Sequence, residues 1–167
     1  MGAKIMVCHL GTTGRSEKTV NEMLEQFSDS SFKFATENGQ NLHHYTAFID
    51  MVGSDRLRMV VDVGHTRDAD GTNPFVKKDR AKETMQQCGD RLIHLHLHDF
   101  IDRDHYAPFE PGGLLQWKQV FSALRDIDYQ GTFMFEALWR ASSCDLSPEY
   151  VLNRTASFPN TFIERYA

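Results

Sequence analysis

Five apolar runs in this chain each reach a residue that can carry a proton or bind a cation. "KIMVCHL" reaches His9, "FKFATEN" Glu37, "RMVVDVG" Asp62, "LIHLHLH" His96 and "TFMFEAL" Glu136. Two glutamates, one aspartate and two histidines make a mixed oxygen and nitrogen ligand set. Such a set suits Mn, Zn, Co, Fe or Mg better than Ca and does not choose among them. Any one of these residues alone reads as a hydrogen-bonded core residue. Burying five side by side is costly unless a cation or close pairing compensates. The stretch "RLIHLHLHDFIDRDH" adds four histidines within residues 91–105, three of them alternating with leucine.

Something must hold these endings together. Alternate residues of a strand face opposite sides. The side that carries each ending also carries Ile5 and Val7, Ala35, Val60, His94 and Met134. The other side carries Met6 and Cys8, Phe34 and Thr36, Met59 and Val61, Ile93 and Leu95, and Phe133 and Phe135, a bulkier set suited to packing under helices. Amphipathic segments lie between the runs. "SEKTVNEMLEQF" puts Val20, Met23, Leu24 and Phe27 on one face, with Ser16 as N-cap. "NLHHYTAFIDM" does the same with Leu42, Tyr45, Phe48 and Ile49, and "QWKQVFSALRDI" with Trp117, Val120, Phe121, Leu124 and Ile127. "VKKDRAKETMQQC" is a more polar helix, and a last helix opens at "SPEY", with Ser147 capping and Pro148 in the first turn. Strand and helix in alternation predict parallel βα units. All five endings then point to one interior from the carboxyl ends of the strands, where βα-barrel enzymes place their active sites.

Composition narrows the function classes. The chain has 167 residues, 41% hydrophobic and 25% charged, with a net charge of -5. One domain with a core is expected, without the electrostatic footprint of a nucleic-acid binder. No apolar run approaches the roughly 20 residues that cross a bilayer. Cys8, Cys88 and Cys144 include no C-x-x-C pair, which predicts free thiols in a reducing, cytoplasmic setting.

The motifs "VVDVGH", "HLHLHD" followed by "DH", the turn and tryptophan of "PGGLLQW", and "DYQGTFMFEAL" resemble the second half of a xylose isomerase-like TIM barrel. This is the sugar (phosphate) isomerase/epimerase superfamily, which also includes the endonuclease IV-type repair enzymes. The resemblance covers about residues 4–140. It implies an α/β fold that is a partial (βα)8 TIM barrel, about five parallel βα units corresponding to strands four to eight. Residues 1–167 would then be a single incomplete domain. Residue by residue, Glu37 resembles the family's strand-five metal glutamate, Asp62 the strand-six ligand, His96 the strand-seven histidine and Glu136 the strand-eight glutamate. His65 resembles a histidine that contacts substrate, or a second metal in the repair enzymes. His9 resembles the strand-four histidine of the repair enzymes, and His105 the histidine of the loop after strand seven.

The resemblance implies metal-dependent isomerisation or epimerisation of a small sugar, sugar phosphate or related hydroxy-carbonyl compound through enediolate proton transfer. Glu37 and Glu136 would handle the proton on opposite faces of the substrate. His65 would orient the substrate, and Asp99 would hold an imidazole. Two departures stand out. The repair enzymes carry an Asp-Arg-His triplet where this chain reads "DRDH", so Asp102 or Asp104 must substitute, and the loop from His96 to His105 is short for a nuclease. A full barrel needs roughly 250 residues and eight strands, so strands one to three are expected to be missing. A copy of the chain or a second polypeptide would complete the barrel. The rival readings are an endonuclease IV-like zinc phosphodiesterase, busy at His9, His65 and His105, and a truncated, non-catalytic half-barrel.

Overall fold

A computed structural model describes residues 2–39, 41–101, 105–137 and 147–166, the last five by backbone alone. Each apolar run forms a strand: β1 (Ile5–Cys8), β2 (Lys33–Glu37), β3 (Leu57–Asp62), β4 (Leu92–Leu97) and β5 (Thr132–Phe135). Between and after them lie α1 (Gly14–Gln26), α2 (Leu42–Val52), α3 (Arg80–Cys88), α4 (Trp117–Asp126) and α5 (Pro148–Tyr166). The strands pair in chain order, β1-β2-β3-β4-β5, all parallel. The helices pack in the same order, each on the next. A sheet wound in one direction with one helical layer is a barrel wall, not the doubly wound sheet that switches direction at its middle. Five strands make a half-barrel.

The expected division of the strand faces is present. Phe34, Met59, Val61, Leu95 and Leu97 are almost fully buried beneath Val20, Phe48, Met85, Val120 and Leu124. Phe135 joins α5 through Phe158, whose ring also meets Trp117 at 5.2 Å between centroids. Met6 departs from its expected place under the helices. It is 42% exposed because β1 is the edge of the sheet and neighbours only β2. On the opposite face Ala35 and Val60 are buried, while Met134 is 41% exposed.

The helix ends follow the sequence at the start of α5 and depart from it at both ends of α1. Ser147 caps α5, accepting the Tyr150 amide at 3.2 Å. Ser16 is not a cap: α1 starts at Gly14 with Thr13 in the N-cap position, so Ser16 lies in its first turn. Phe27, expected on the buried face of α1, follows the last helical residue and is 41% exposed, although its ring meets Phe32 and Phe34. Among the described residues no helix is long and apolar enough to cross a membrane.

The register staggers the strand ends. Glu37 lies across from Val60, Asp62 across from His96, and His96 across from Met134. Glu136 follows β5, where its amide donates to the Leu97 carbonyl at 3.2 Å. The chemistry-bearing residues therefore climb from β2 to β5, as tilted barrel strands require.

Candidate metal and active site

His96 is the centre of the arrangement. Its ring is 2% exposed, held inward between β3 and β5. Its Nδ1 lies 3.1 Å from Glu37 Oε2, 3.1 Å from Glu136 Oε1 and 3.9 Å from Asp62 Oδ2. Asp62 is fully buried and Glu37 nearly so. Neither ring nitrogen of His96 makes a well-directed hydrogen bond to a described residue, and Asp62 Oδ2 is likewise buried without one. Three carboxylates around one imidazole, with buried polar atoms left over, fit a divalent cation. Ligand atoms of Glu37, Asp62 and His96 all lie within 4.8 Å of one another. Glu136, just past the end of β5, reaches His96 from the other side and also lies in a group with His98 and His105.

A second layer surrounds Asp62. Its Oδ1 accepts the His65 amide at 2.8 Å and lies 2.9 Å from His98 Nε2, while His65 Nδ1 is 3.3 Å from Oδ2. Its own amide donates to Asn38 Oδ1 at 2.8 Å, and Asn38 donates in turn to Thr66 Oγ1 at 2.8 Å. Burial pushes the Asp62 carboxyl up, but His65 and His98 outweigh it and hold the group well below the usual carboxylate range. Burial pushes His96 and His98 down, and the neighbouring carboxylates outweigh it, so both rings sit above the ordinary histidine value. His98 Nδ1 also faces the Asp99 carbonyl at 3.2 Å.

His98 and Asp99, just past the end of β4, are 0% and 1% exposed. His98 is packed against Gly64 so closely that a Cβ there would lie 2.0 Å from its ring. Its signal was present, because the alternation of His94, His96 and His98 puts all three on the inner side. No hydrogen bond or ion pair among the described residues joins the Asp99 carboxylate to an imidazole; its bonds go elsewhere. It accepts the amides of Phe100, Leu114 and Leu115 and the Trp117 indole N–H at 2.7–3.1 Å, tying the "PGG" turn and the start of α4 to the end of β4. The Asp99 carboxyl is raised by its burial, against these bonds. His94 is a partly buried ring 2.6 Å from the Thr132 hydroxyl, one layer below the site.

The remaining candidates differ in their closeness. His65, His98 and His105 form a cluster with ring centroids 4.4–5.1 Å apart. His105 adopts a left-handed backbone and donates from Nδ1 to the Glu136 carbonyl at 2.9 Å. His9 is the outlier: its side chain is 82% exposed and its Nε2 is 3.6 Å from Glu37 Oε2. Asp102, Asp104 and Cys144 lie outside the described residues. A cavity of about 480 Å³ opens beside the cluster, lined among others by His9, Glu37, Asn38, Tyr45, His65 and Arg67. A larger hollow of about 670 Å³ lies at the other end of the strands, among Lys4, Lys33, Leu92 and Thr132, away from every candidate ligand.

Comparison with known proteins agrees with the fold. The family model described as xylose isomerase-like TIM barrel matches residues 1–158. D-psicose 3-epimerase of Enterocloster bolteae is 30% identical over 122 residues, 65% of this chain and 36% of that protein. An uncharacterized protein of Methanocaldococcus jannaschii is 27% identical over 71% of this chain and 41% of its own length. The chain thus spans well under half the length of these curated relatives. Among solved structures, D-allulose 3-epimerase from Methylomonas sp. superposes with a TM-score of 0.68 at 18% identity, over 99% of this chain and 64% of that one. A xylose isomerase domain protein from Alicyclobacillus acidocaldarius gives 0.71 at 12% identity, over 98% and 65%. A xylose isomerase-like TIM barrel protein from Mycobacterium smegmatis, solved with magnesium, gives 0.60 at 13%, over 98% and 56%. At these identities the structures speak to fold alone.

Proposed function

Because this chain belongs to the xylose isomerase-like TIM-barrel family, we propose that it carries the metal-binding half of a sugar isomerase or epimerase. The observation that carries the reading is the convergence of Glu37, Asp62 and Glu136 on the buried His96. These four residues would hold the cation, which would act as a Lewis acid on the charge that develops at oxygen when a proton leaves carbon. Glu37 and Glu136 reach His96 from strands on opposite sides, β2 and β5. Each would take or return a proton at one face of the reacting carbon. His65, held by Asp62 through its backbone and ring, would orient the substrate from the β3 end. The D-psicose 3-epimerase relative supports a ketose and exchange at C3 as the first substrate and reaction to try. A second copy or another chain would supply the remaining wall.

The cluster of His65, His98 and His105 favours one second reading, a multi-zinc hydrolase of the endonuclease IV kind. His98, His105 and Glu136 offer a further set of ligand atoms within 4.8 Å of one another, as do Asp62, His65 and His98. Metal content per chain, measured with the oligomeric state in the same run, separates the two. About one divalent ion per chain, with Glu136→Gln folded but devoid of sugar turnover, supports the isomerase. Two or three zinc ions per chain with cleavage of abasic duplex supports the hydrolase, and wild-type turnover in Glu136→Gln rejects the isomerase assignment.

A further inference from the structure

The cavity beside the ligand set has a second end, and its chemistry is different. Arg67 lies there, on the loop after β3. One guanidinium nitrogen, Nη1, is spent on the carbonyls of Gly64 and Thr66 at 2.7 and 2.8 Å. The guanidinium also lies over the Phe100 ring, 5.5 Å from its centroid. These contacts fix the group and leave Nη2 and Nε without a partner among the described residues. No carboxylate among them pairs with it. Its basic neighbours are placed otherwise: Lys77 is paired with Asp68 and Asp70, and Arg80 with Asp68 and Glu83. Tyr45 lines the same cavity, its hydroxyl beside Gly39 and free of any hydrogen bond to a described residue. The Arg67 backbone carbonyl accepts the Asn41 amide at 3.1 Å, so the two loops carrying these groups are tied together.

We propose that Arg67 and Tyr45 form an oxyanion subsite, selecting substrates whose far end is a phosphate or carboxylate over neutral sugars. This inference rests on the isomerase reading for the identity of the near end, where Glu37 lines the same cavity. A fixed guanidinium with two free donors and an adjacent phenol matches the geometry of an oxyanion, which accepts charge-assisted hydrogen bonds in pairs. The volume of about 480 Å³ suits a small sugar with one anionic group. Arg67 is thereby a specificity-determining residue.

The test is calorimetry on the Mn-loaded protein with D-fructose, D-fructose 6-phosphate and D-fructuronate. At least one anionic sugar should bind about tenfold or more tighter than D-fructose, the size of one good charge-assisted contact. A preference for the first anion points to phosphate, and for the second to carboxylate. Arg67→Gln should weaken binding of the anionic sugar about tenfold or more and of D-fructose far less, so that the preference disappears. Arg67→Lys, which keeps the charge and loses the fork, should retain part of it, and Tyr45→Phe should weaken it by a few-fold. Equal affinity for all three sugars, no binding of any, or equal loss of neutral and anionic sugars in Arg67→Gln would overturn the subsite. A Mn titration in the same instrument reports on the ligand set separately. An anion preference that survives in protein unable to bind Mn upholds the subsite while rejecting the metal reading.

Discussion

At the scale of single residues, the site is a balance of buried charges. Glu37→Gln or Asp62→Asn should weaken Mn binding by roughly ten- to a hundredfold or more, since direct ligands matter at least as much as their supports. Removing a support differs from removing a ligand. His98→Leu leaves the Asp62 carboxylate buried without one of its partners and should cost about 3–5 kcal/mol of stability, read from denaturant midpoints. A cost near zero would mean that Asp62 depends on His65 and Asn38 alone. The pH dependence has two opposing parts. In metal-free protein His96 and His98 titrate above 6.5, so their stabilisation is complete below that value and is lost as pH rises through their folded values. Asp62 titrates below 3.8, so its contribution is present above that value and fades in acid. Metal-free stability should therefore peak between about pH 4 and 6.5. Mn affinity should instead rise through neutral pH, because His96 must lose its proton to bind. Affinity that is flat from pH 5.5 to 7.5 would remove His96 from the ligand set. Cys88 belongs at this scale too. Burial raises its thiol to about 12, so iodoacetamide should modify the Cys88 peptide only when the protein unfolds.

At the scale of elements, the five strands were legible because each is an apolar run with a polar end, and period two fixed which side that end faces. The inner position of His98 followed from the same period, but sequence alone does not say whether a strand's last residues are covered. The cover comes from Gly64, which admits the ring, and from Asp99, which draws a distant turn over it. The role of Asp99 was illegible for a similar reason. Three of its four partners, Leu114, Leu115 and Trp117, lie 15 to 18 residues away, beyond the reach of local spacing rules. Arg67 carried no motif at all and is identified only by the cavity it borders. Two substitutions test this joint. Gly113→Ala would bring a Cβ within 2.2 Å of the Asp99 carboxylate and should destabilise the protein clearly. Trp117→Phe leaves an aromatic ring but removes the indole N–H and some buried volume, so the loss of one hydrogen bond to a buried carboxylate should cost at least about 1–3 kcal/mol. A neutral result for both, in thermal melts, would mean that the Asp99 network does not brace the site.

At the scale of the whole molecule, the sheet has two outer edges, on β1 and β5, that pair with nothing among the described residues. Unpaired edges invite association. Light scattering of this chain should show more than one copy per particle, and a stable monomer at every concentration would argue against completion by a second copy. The winding order has a thermodynamic side as well. Among the described residues each strand pairs with its neighbours in chain order, and the main helix–helix contacts follow the same order, so the architecture resembles a short stack of repeats, able to fray inward from both ends. The proposed ligand set cuts across that order, drawing on β2, β3, β4 and the end of β5 at once. A bound ion would stitch four neighbours into a single cooperative block, and its binding energy would add to folding in proportion to how far its concentration exceeds Kd. Amide exchange should then slow together from Lys33 to Glu136 when the ion binds, with β1, followed by the exposed His9, left to open independently.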